Sequence, residues 1–192
     1  DRVPMDQKTE AEIVVRVLKG DRQAYTLLIE EYKNPIYNLA YRMTHNPQDA
    51  EDLAQETFLR SFRALSRFDV NRRFYTWLYT ISLNIIRNHL KNAERKAGFQ
   101  KIEKSFGITE AARKNAGLNG SDDANEVRKV REAHLEACLQ KLPSQQRELL
   151  VLRFYQGLSF EMISEITGFS QSAVKMRVYR GLEKLREIMS KM

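Results

Sequence analysis

Polar and basic side chains recur at helical spacing along residues 74–91, FYTWLYTISLNIIRNHLK. The positions that share one side of this predicted helix are Thr80, Asn84, Arg87, Asn88 and Lys91. Amide, guanidinium and ammonium groups donate hydrogen bonds to base edges and phosphates, so this side suits a nucleic acid. Tyr75 and Tyr79 add rings of the kind that stack on unpaired bases. The alternative is an amphipathic core helix whose polar side is only solvated.

A second basic surface is predicted farther along the chain. Residues 160–167, a turn at 168–170 (Gly-Phe-Ser) and residues 171–189 have the pattern of a helix-turn-helix. One face of its second helix carries Lys175, Met176, Tyr179 and Arg180, with Arg177 beside them. Because Lys and Arg are the usual donors to guanine edges and phosphates, this face is a candidate reader of the major groove. The alternative is a helical hairpin with a solvated basic face.

A third set of charges is acidic and lies on a predicted helix that begins near Asn46. Asn46 is a good N-cap residue, and Pro47 fits the first helical position. Farther along, Asp49, Asp52 and Glu56 fall on one outer face, where like charges cost about 0.2–0.5 kcal/mol per pair. In a chain with a net charge of +7, this concentration of negative charge favours a docking surface. The alternative is an acidic face that is only solvated.

Apolar stripes at three- and four-residue spacing dominate the chain and predict an all-α fold. The stripe on the 74–91 helix comprises Phe74, Trp77, Leu78, Ile81 and Ile85. The expected inward face of the acidic helix comprises Ala50, Leu53, Ala54, Thr57, Phe58, Ser61, Phe62 and Leu65. Pro35 interrupts an earlier helical pattern and should kink or divide that helix. The first predicted helix, from Glu10 to Lys19, has an apolar side that includes Leu18.

Shifts in composition predict two helical domains. Residues 1–9 are expected to form an N-terminal tail, in which the four residues before Met5 are a cloning remnant. Residues 10–94 are expected to form a compact bundle. Residues 95–125 are rich in Lys, Ala, Asn, Gly and Ser, which is typical of a flexible linker or of a weak helix with a loop. Residues 126–192 are expected to form a second domain that contains the helix-turn-helix.

Composition narrows the classes of function. The net charge of +7 favours an anionic partner, and no apolar run approaches the roughly 20 residues that a bilayer span needs, so nucleic acid is favoured over membrane insertion. No signal peptide is visible, and a cytoplasmic protein is expected.

Cys138 is the single cysteine, and with His134 it supplies at most two metal ligands, so we predict neither a metal site nor a cofactor. No nucleophile with a nearby base and no phosphate loop is found, so an enzyme is not expected. Cys138 is expected to be a small core residue.

Two separate stretches resemble one family. The runs DAEDLAQETFLRSFRAL and FYTWLYTISLNIIRN, and later LPSQQRELLVLRFYQGLSFEMISEITGFSQSAVKMRVYRGLEKLR, are similar to bacterial RNA polymerase sigma factors of the extracytoplasmic-function (ECF) group. Apart from the linker, the resemblance covers the chain from about Glu10 to Lys184. It implies a promoter-specificity subunit of RNA polymerase that has no catalysis of its own. Such factors are usually held inactive by an anti-sigma protein that covers both domains.

The resemblance also implies a role for each surface. The acidic helix would bind the clamp helices of the largest subunit of core RNA polymerase through Asp49, Asp52, Gln55 and Glu56. The 68–73 loop and the 74–91 helix would melt and read the minus-ten promoter element, with Phe68 and Asn84 as candidates to hold a flipped base. The other minus-ten candidates are Tyr75, Trp77, Arg87, Asn88 and Lys91. The minus-thirty-five element would meet Ser172, Lys175, Met176, Arg177, Tyr179 and Arg180 in its major groove.

A second hypothesis is a stand-alone helix-turn-helix repressor or activator whose first domain senses a signal or dimerises. It predicts tight duplex binding by the protein alone, usually at a palindrome. The sigma-factor hypothesis predicts instead two DNA contacts made together and weak promoter binding without polymerase. A third class, an all-α enzyme, would need a pocket of convergent polar groups that the sequence does not indicate.

Overall fold

The structure is a computed structural model that describes residues 5–105 and 123–191, with side chains described at 5–96 and 131–191. These ranges contain eight α-helices and no strand, so the predicted all-α fold of two helical domains is confirmed. The helices are α1 (Gln7–Leu18), α2 (Tyr25–Thr44), α3 (Pro47–Ala64), α4 (Phe74–Ser105), α5 (Asp123–Gln140), α6 (Ser144–Leu150), α7 (Phe160–Thr167) and α8 (Gln171–Met189). Within the described ranges, no helix is both long enough and apolar enough to cross a bilayer.

The first domain packs α1 to α4 around one apolar core. Its largest fully buried side chains include Tyr32, Phe74 and Tyr79. Asn46 caps α3 as predicted, because its side-chain oxygen accepts the backbone N–H groups of Gln48 at 2.9 Å and Asp49 at 3.3 Å. Pro35 lies inside α2, and the helix continues past it to Thr44, so Pro35 does not divide this helix.

Two apolar residues of this domain are more exposed than their stripes predict. Leu18, in the last turn of α1, is 47% exposed. Phe62, predicted to face inward from α3, is 38% exposed. Its ring meets the edge of the Tyr25 ring at 5.0 Å, at the rim of a surface groove rather than inside the core. Helical spacing predicts the direction of a side chain but not whether a neighbouring element covers it.

The second domain comprises α5 to α8. Helix α6 ends at Leu150, and Val151–Tyr155 continues from it as a π-helix. Cys138 is fully buried, as expected of a small core residue. Among the described residues, no group of three or more His, Cys, Asp or Glu side chains is arranged to hold a metal ion.

The described ends of the predicted linker are helical. Helix α4 continues from the predicted boundary at residue 94 to Ser105, and α5 begins at Asp123. The segment from residue 92 to Ser105 is rich in Ala, Lys and Glu, which are strong helix formers, so the helix continues through it. The rest of the predicted linker lies outside the described residues.

Candidate nucleic-acid interface

The outer face of α8 carries the candidate residues for duplex DNA. Met176 and Tyr179 are 47% and 59% exposed. The side chains of Ser172, Lys175 and Arg180 are exposed as well. Opposite this face, Val174 and Val178 are buried and hold α8 on its domain. The predicted contact face is therefore present, with its donors directed away from the core.

The turn between α7 and α8 sets the position of this face. Gly168 ends α7 in the left-handed region at φ +76°, a conformation that glycine adopts without steric cost. Ser170 then caps α8 by accepting the backbone N–H of Ala173 at 3.3 Å. The Ser164 hydroxyl donates to the Phe169 carbonyl at 2.6 Å, which ties the turn back to α7. These bonds explain why the predicted helix-turn-helix forms where the sequence places it.

Arg177 differs from the other candidates on α8. Its guanidinium lies over the Phe169 ring, 3.9 Å from the ring centroid, and the side chain is half-buried. A cation in this position is attracted by the negative face of the ring. In this arrangement Arg177 braces the turn rather than projecting with Lys175 and Arg180, and its predicted DNA contact stays a prediction.

On α4 the polar side is divided between solvent and the second domain. Asn84, Asn88 and Lys91 are exposed. Arg87 instead donates from Nε and Nη2 to the two carboxylate oxygens of Glu148 on α6, at 2.8 and 2.6 Å. Hydrogen bonding to Glu148 raises the pKa of Arg87, and the Glu148 side chain is buried. Arg87 is therefore held by the second domain, and its predicted minus-ten contact is not available in this arrangement.

The aromatic candidates for the minus-ten element are mostly buried. Phe68 is 7% and Tyr75 is 6% exposed. Trp77 is partly buried, with its ring 5.0 Å from that of Phe68. Tyr79, which we expected to offer a ring for stacking, is fully buried. Burial raises the pKa of the Tyr75 phenol to about 12. In this arrangement neither Phe68 nor Tyr75 is free to stack on a base. Tertiary packing covers both rings, and the spacing of residues along the chain does not predict that packing.

On the acidic face of α3, two of the predicted residues are exposed and two are half-buried and paired. Asp52 and Gln55 face solvent. Glu56 accepts from Arg60 Nε at 2.5 Å, and Asp49 lies 3.3 Å from His89 Nε2 on α4. Farther along the helix, an apolar groove of about 490 Å³ opens between α2 and α3. The groove is lined by Arg22, Tyr25, Thr26, Ile29, Gln55, Phe58, Leu59 and Phe62. An acidic face beside an exposed apolar groove suits a protein partner.

The sequence pattern missed one buried carboxylate near the candidate minus-ten surface. Glu10 of α1 is 2% exposed and accepts the backbone N–H groups of Phe74 at 2.9 Å and Tyr75 at 3.2 Å. The Tyr32 hydroxyl donates to it as well. Burial raises the pKa of Glu10, although these three donors act in the opposite direction. The available signal was position, since Glu10 falls on the same stripe as the buried Ile13, Val14 and Val17.

Further contacts join the two domains. The Tyr79 hydroxyl donates to Gln156 Oε1 at 2.7 Å. Arg42 of α2 forms an ion pair with Glu136 of α5. Its guanidinium also lies over the Tyr155 ring, 3.5 Å from the centroid. Together with the Arg87–Glu148 pair, these contacts pack the second domain against α2 and α4.

Two family models match the chain, one in each domain. The model of sigma-70 region 2 matches residues 28–96, and that of sigma-70 region 4 matches residues 133–185. The first stretch contains the acidic helix and the polar side of α4. The second contains the helix-turn-helix. The fold and its two candidate surfaces therefore define a protein of the sigma-70 family.

Relatives with curated names place the chain in one group of the sigma-70 family. The chain is 33% identical over 182 residues to the RNA polymerase sigma-H factor of Pseudomonas aeruginosa, covering 93% of each chain. It is 33% identical over 177 residues to the ECF RNA polymerase sigma factor SigW of Bacillus subtilis, covering 91% of this chain and 93% of that one. The chain belongs to the ECF group of RNA polymerase sigma factors. These relatives are transcription factors rather than enzymes.

Solved structures agree with this fold. The structure of CnrH in complex with the cytosolic domain of CnrY has a TM-score of 0.69 at 23% identity, covering 97% of this chain and 99% of that one. The sigma factor RpoE of Bartonella quintana, in complex with the anti-sigma factor NepR, has a TM-score of 0.60 at 23% identity. That match covers 86% of this chain and 96% of RpoE. At this identity the likeness supports the fold alone.

Proposed function

We propose that this sigma factor binds core RNA polymerase through the acidic face of α3 and recognises two promoter elements, one with each domain. The first domain melts and reads the minus-ten element with the 68–73 loop and α4. The second domain reads the minus-thirty-five element with α8. The observation that carries the proposal is the pair of exposed polar and basic helix faces, one on each domain, within the stretches that match regions 2 and 4.

For the minus-thirty-five element, the support is the outer face of α8. Its exposed donors include Lys175 and Arg180, and the positive end of the α8 dipole, at Gln171, can attract a phosphate. A recognition helix of this kind contacts base edges with residues of its N-terminal half. Tyr179 and Met176 add apolar surface of the kind that meets a thymine methyl group.

For the minus-ten element, the support is the exposed amide and basic row of Asn84, Asn88 and Lys91. Arg87 continues this row, but Glu148 of the second domain holds it. A promoter that engages the whole row therefore requires the second domain to move away from α4. The packed arrangement is, on this proposal, a closed form that opens when polymerase and promoter bind.

The proposed protein partners follow from exposed surface and charge. The acidic side chains Asp52 and Glu56 would meet basic residues of the polymerase clamp helices. An anti-sigma factor is proposed as a regulator, because the structural relative RpoE is found with the anti-sigma factor NepR. Since core RNA polymerase works in the bacterial cytoplasm, the proposal places the protein there. The proposal requires no cofactor and no metal.

Run-off transcription with purified bacterial core polymerase tests this function. We expect promoter-specific transcripts only when the protein is added, and far fewer with Asp52→Arg, which reverses one exposed charge on the acidic face without touching the core. A matched control is Glu12→Arg, which reverses an exposed acidic charge on α1 instead. Tight duplex binding by the protein alone, with no transcripts, would favour the stand-alone repressor instead.

A further inference from the structure

The start of α4 is held by a carboxylate from another helix. The residue before α4 is Arg73, whose type offers no side-chain oxygen to cap the first turn. Glu10 of α1 fills this role from a distance of 64 residues along the chain, by accepting the Phe74 and Tyr75 N–H groups. A helix N-terminus has unpaired N–H groups and a partial positive charge. A carboxylate accepts hydrogen bonds from these groups and is attracted by the charge.

The same helix also holds the last five residues of the 68–73 loop, which lie directly before α4 (the 69–73 loop). Gln7 of α1 donates from Nε2 to the Asn71 carbonyl at 2.7 Å. On its other side the loop is closed by Asp69, whose carboxylate accepts the backbone and side-chain N–H groups of Asn71, each at 3.0 Å. One side of α1 therefore contacts both the 69–73 loop and the first turn of α4.

The hydrogen bonds of Glu10 lie in the protein interior rather than at its surface. Its carboxylate is 2% exposed and has three donors: two backbone N–H groups and the hydroxyl of Tyr32 on α2. A buried carboxylate is costly unless such donors satisfy it. The three donors come from two different helices, so Glu10 joins α1, α2 and α4 at one point. Displacing it would leave two backbone donors of α4 unpaired.

We propose that Glu10 is a positioning residue for minus-ten recognition, with Gln7 assisting it. Glu10 fixes the direction in which α4 leaves the 69–73 loop, and thereby the place of Asn84 and Asn88 relative to the loop. Glu10 touches no DNA, and its effect passes through the backbone of Phe74 and Tyr75. The inference rests on the proposed function, because it assigns Glu10 to the same minus-ten surface.

The test compares two substitutions within α1 in run-off transcription with core polymerase. Glu10→Ala removes the acceptor, whereas Val14→Ala removes methyl groups from a fully buried neighbour on the same stripe and leaves these hydrogen bonds intact. Each variant is assayed on an intact promoter and on promoters altered at the minus-ten or the minus-thirty-five element. We expect Glu10→Ala, which removes the acceptor of three hydrogen bonds, to reduce minus-ten discrimination about tenfold, a size typical of effects passed on through packed elements, and to leave minus-thirty-five discrimination unchanged.

Two milder variants keep the test decisive if Glu10→Ala does not fold. Glu10→Gln keeps one acceptor oxygen and should restore part of the discrimination. Gln7→Ala changes an exposed side chain and should cause a smaller loss in the same direction. Unchanged discrimination in all Glu10 and Gln7 variants would overturn the inference. So would an equal loss in Val14→Ala at matched stability. If the unaltered protein yields no promoter-specific transcripts, the proposed function fails, which is a separate result.

Discussion

Lys175 and Arg180 are the exposed cations on the proposed reading face of α8. If one of them contacts a base, its substitution by alanine should cost about 1–3 kcal/mol of discrimination at the minus-thirty-five element. If it contacts a phosphate, affinity should fall across all sequences, and the slope of log K against log salt should flatten by about one. Binding of the polymerase holoenzyme to promoters at several salt concentrations distinguishes the two. Lys19→Ala, an exposed cation on the first domain, is the control. Unchanged binding in both α8 variants would remove the assignment.

The buried carboxyl of Glu10 predicts a pH dependence of stability. Burial raises its pKa above the ordinary value of 4.5, so the native state holds the proton more tightly than the unfolded chain does. Between 4.5 and the raised pKa the native state binds more protons, and its contribution to stability therefore falls as the pH rises through this window. The free energy of unfolding of the wild type minus that of Glu10→Gln should decrease from pH 4.5 upward. A flat difference would contradict the raised pKa.

For individual residues, the sequence predicts the side of a helix on which a residue lies better than it predicts which neighbouring segment covers that side. The exposed positions of Asn84, Lys175 and Tyr179 follow from helical period alone. The burial of Phe68 and the pairing of Arg87 do not, because both depend on segments distant in the chain that period does not describe. Glu10 was missed for the same reason: its partners lie 64 and 65 residues away.

The helix-turn-helix depends on the conformation of Gly168. At φ +76° a side chain is strained by about 1–2 kcal/mol, and no atom lies within 4 Å of the position that a Cβ would take. Gly168→Ala should therefore lower the free energy of unfolding by about that amount through backbone strain alone. Gly168→Asn is the matched control, since asparagine tolerates this region better, and should lose less. Urea unfolding measures both, and equal losses would mean that the cost is not conformational.

Elements with strong local signals were predicted well. Asn46 is a good N-cap residue, and it caps α3 as predicted. The length of α4 and the π-helix at Val151–Tyr155 were not predicted. Helix formers after residue 91 carry no stop signal, and a π-helix has no simple spacing rule.

For the whole molecule, the pair Arg87–Glu148 is predicted to stabilise the closed form. Removing either charge, as in Arg87→Gln or Glu148→Gln, should shift the balance toward open molecules by about 1.5 kcal/mol, roughly tenfold. If the two side chains act on each other, the double variant should lose no more than either single one. Small-angle X-ray scattering of the free protein would show the opening as a larger radius of gyration. Glu183→Gln, at an exposed site on α8, should leave the radius unchanged.

Additive losses in the double variant would show that the pair is not a direct link between the domains.

The sequence could not predict this link. It showed two domains, but their relative placement depends on contacts such as Arg42 with Glu136, which join residues far apart in the chain. Two charges at such a separation have no periodic signature.

The proposed sigma-factor function is tested most directly by run-off transcription with purified bacterial core polymerase on a panel of promoters, with and without this protein. If the protein is a promoter-specificity subunit, specific transcripts appear only when it is added and are lost when either the minus-ten or the minus-thirty-five element is altered. Transcripts that survive alteration of both elements, or no transcripts at all with polymerase that is active with another sigma factor, would contradict it.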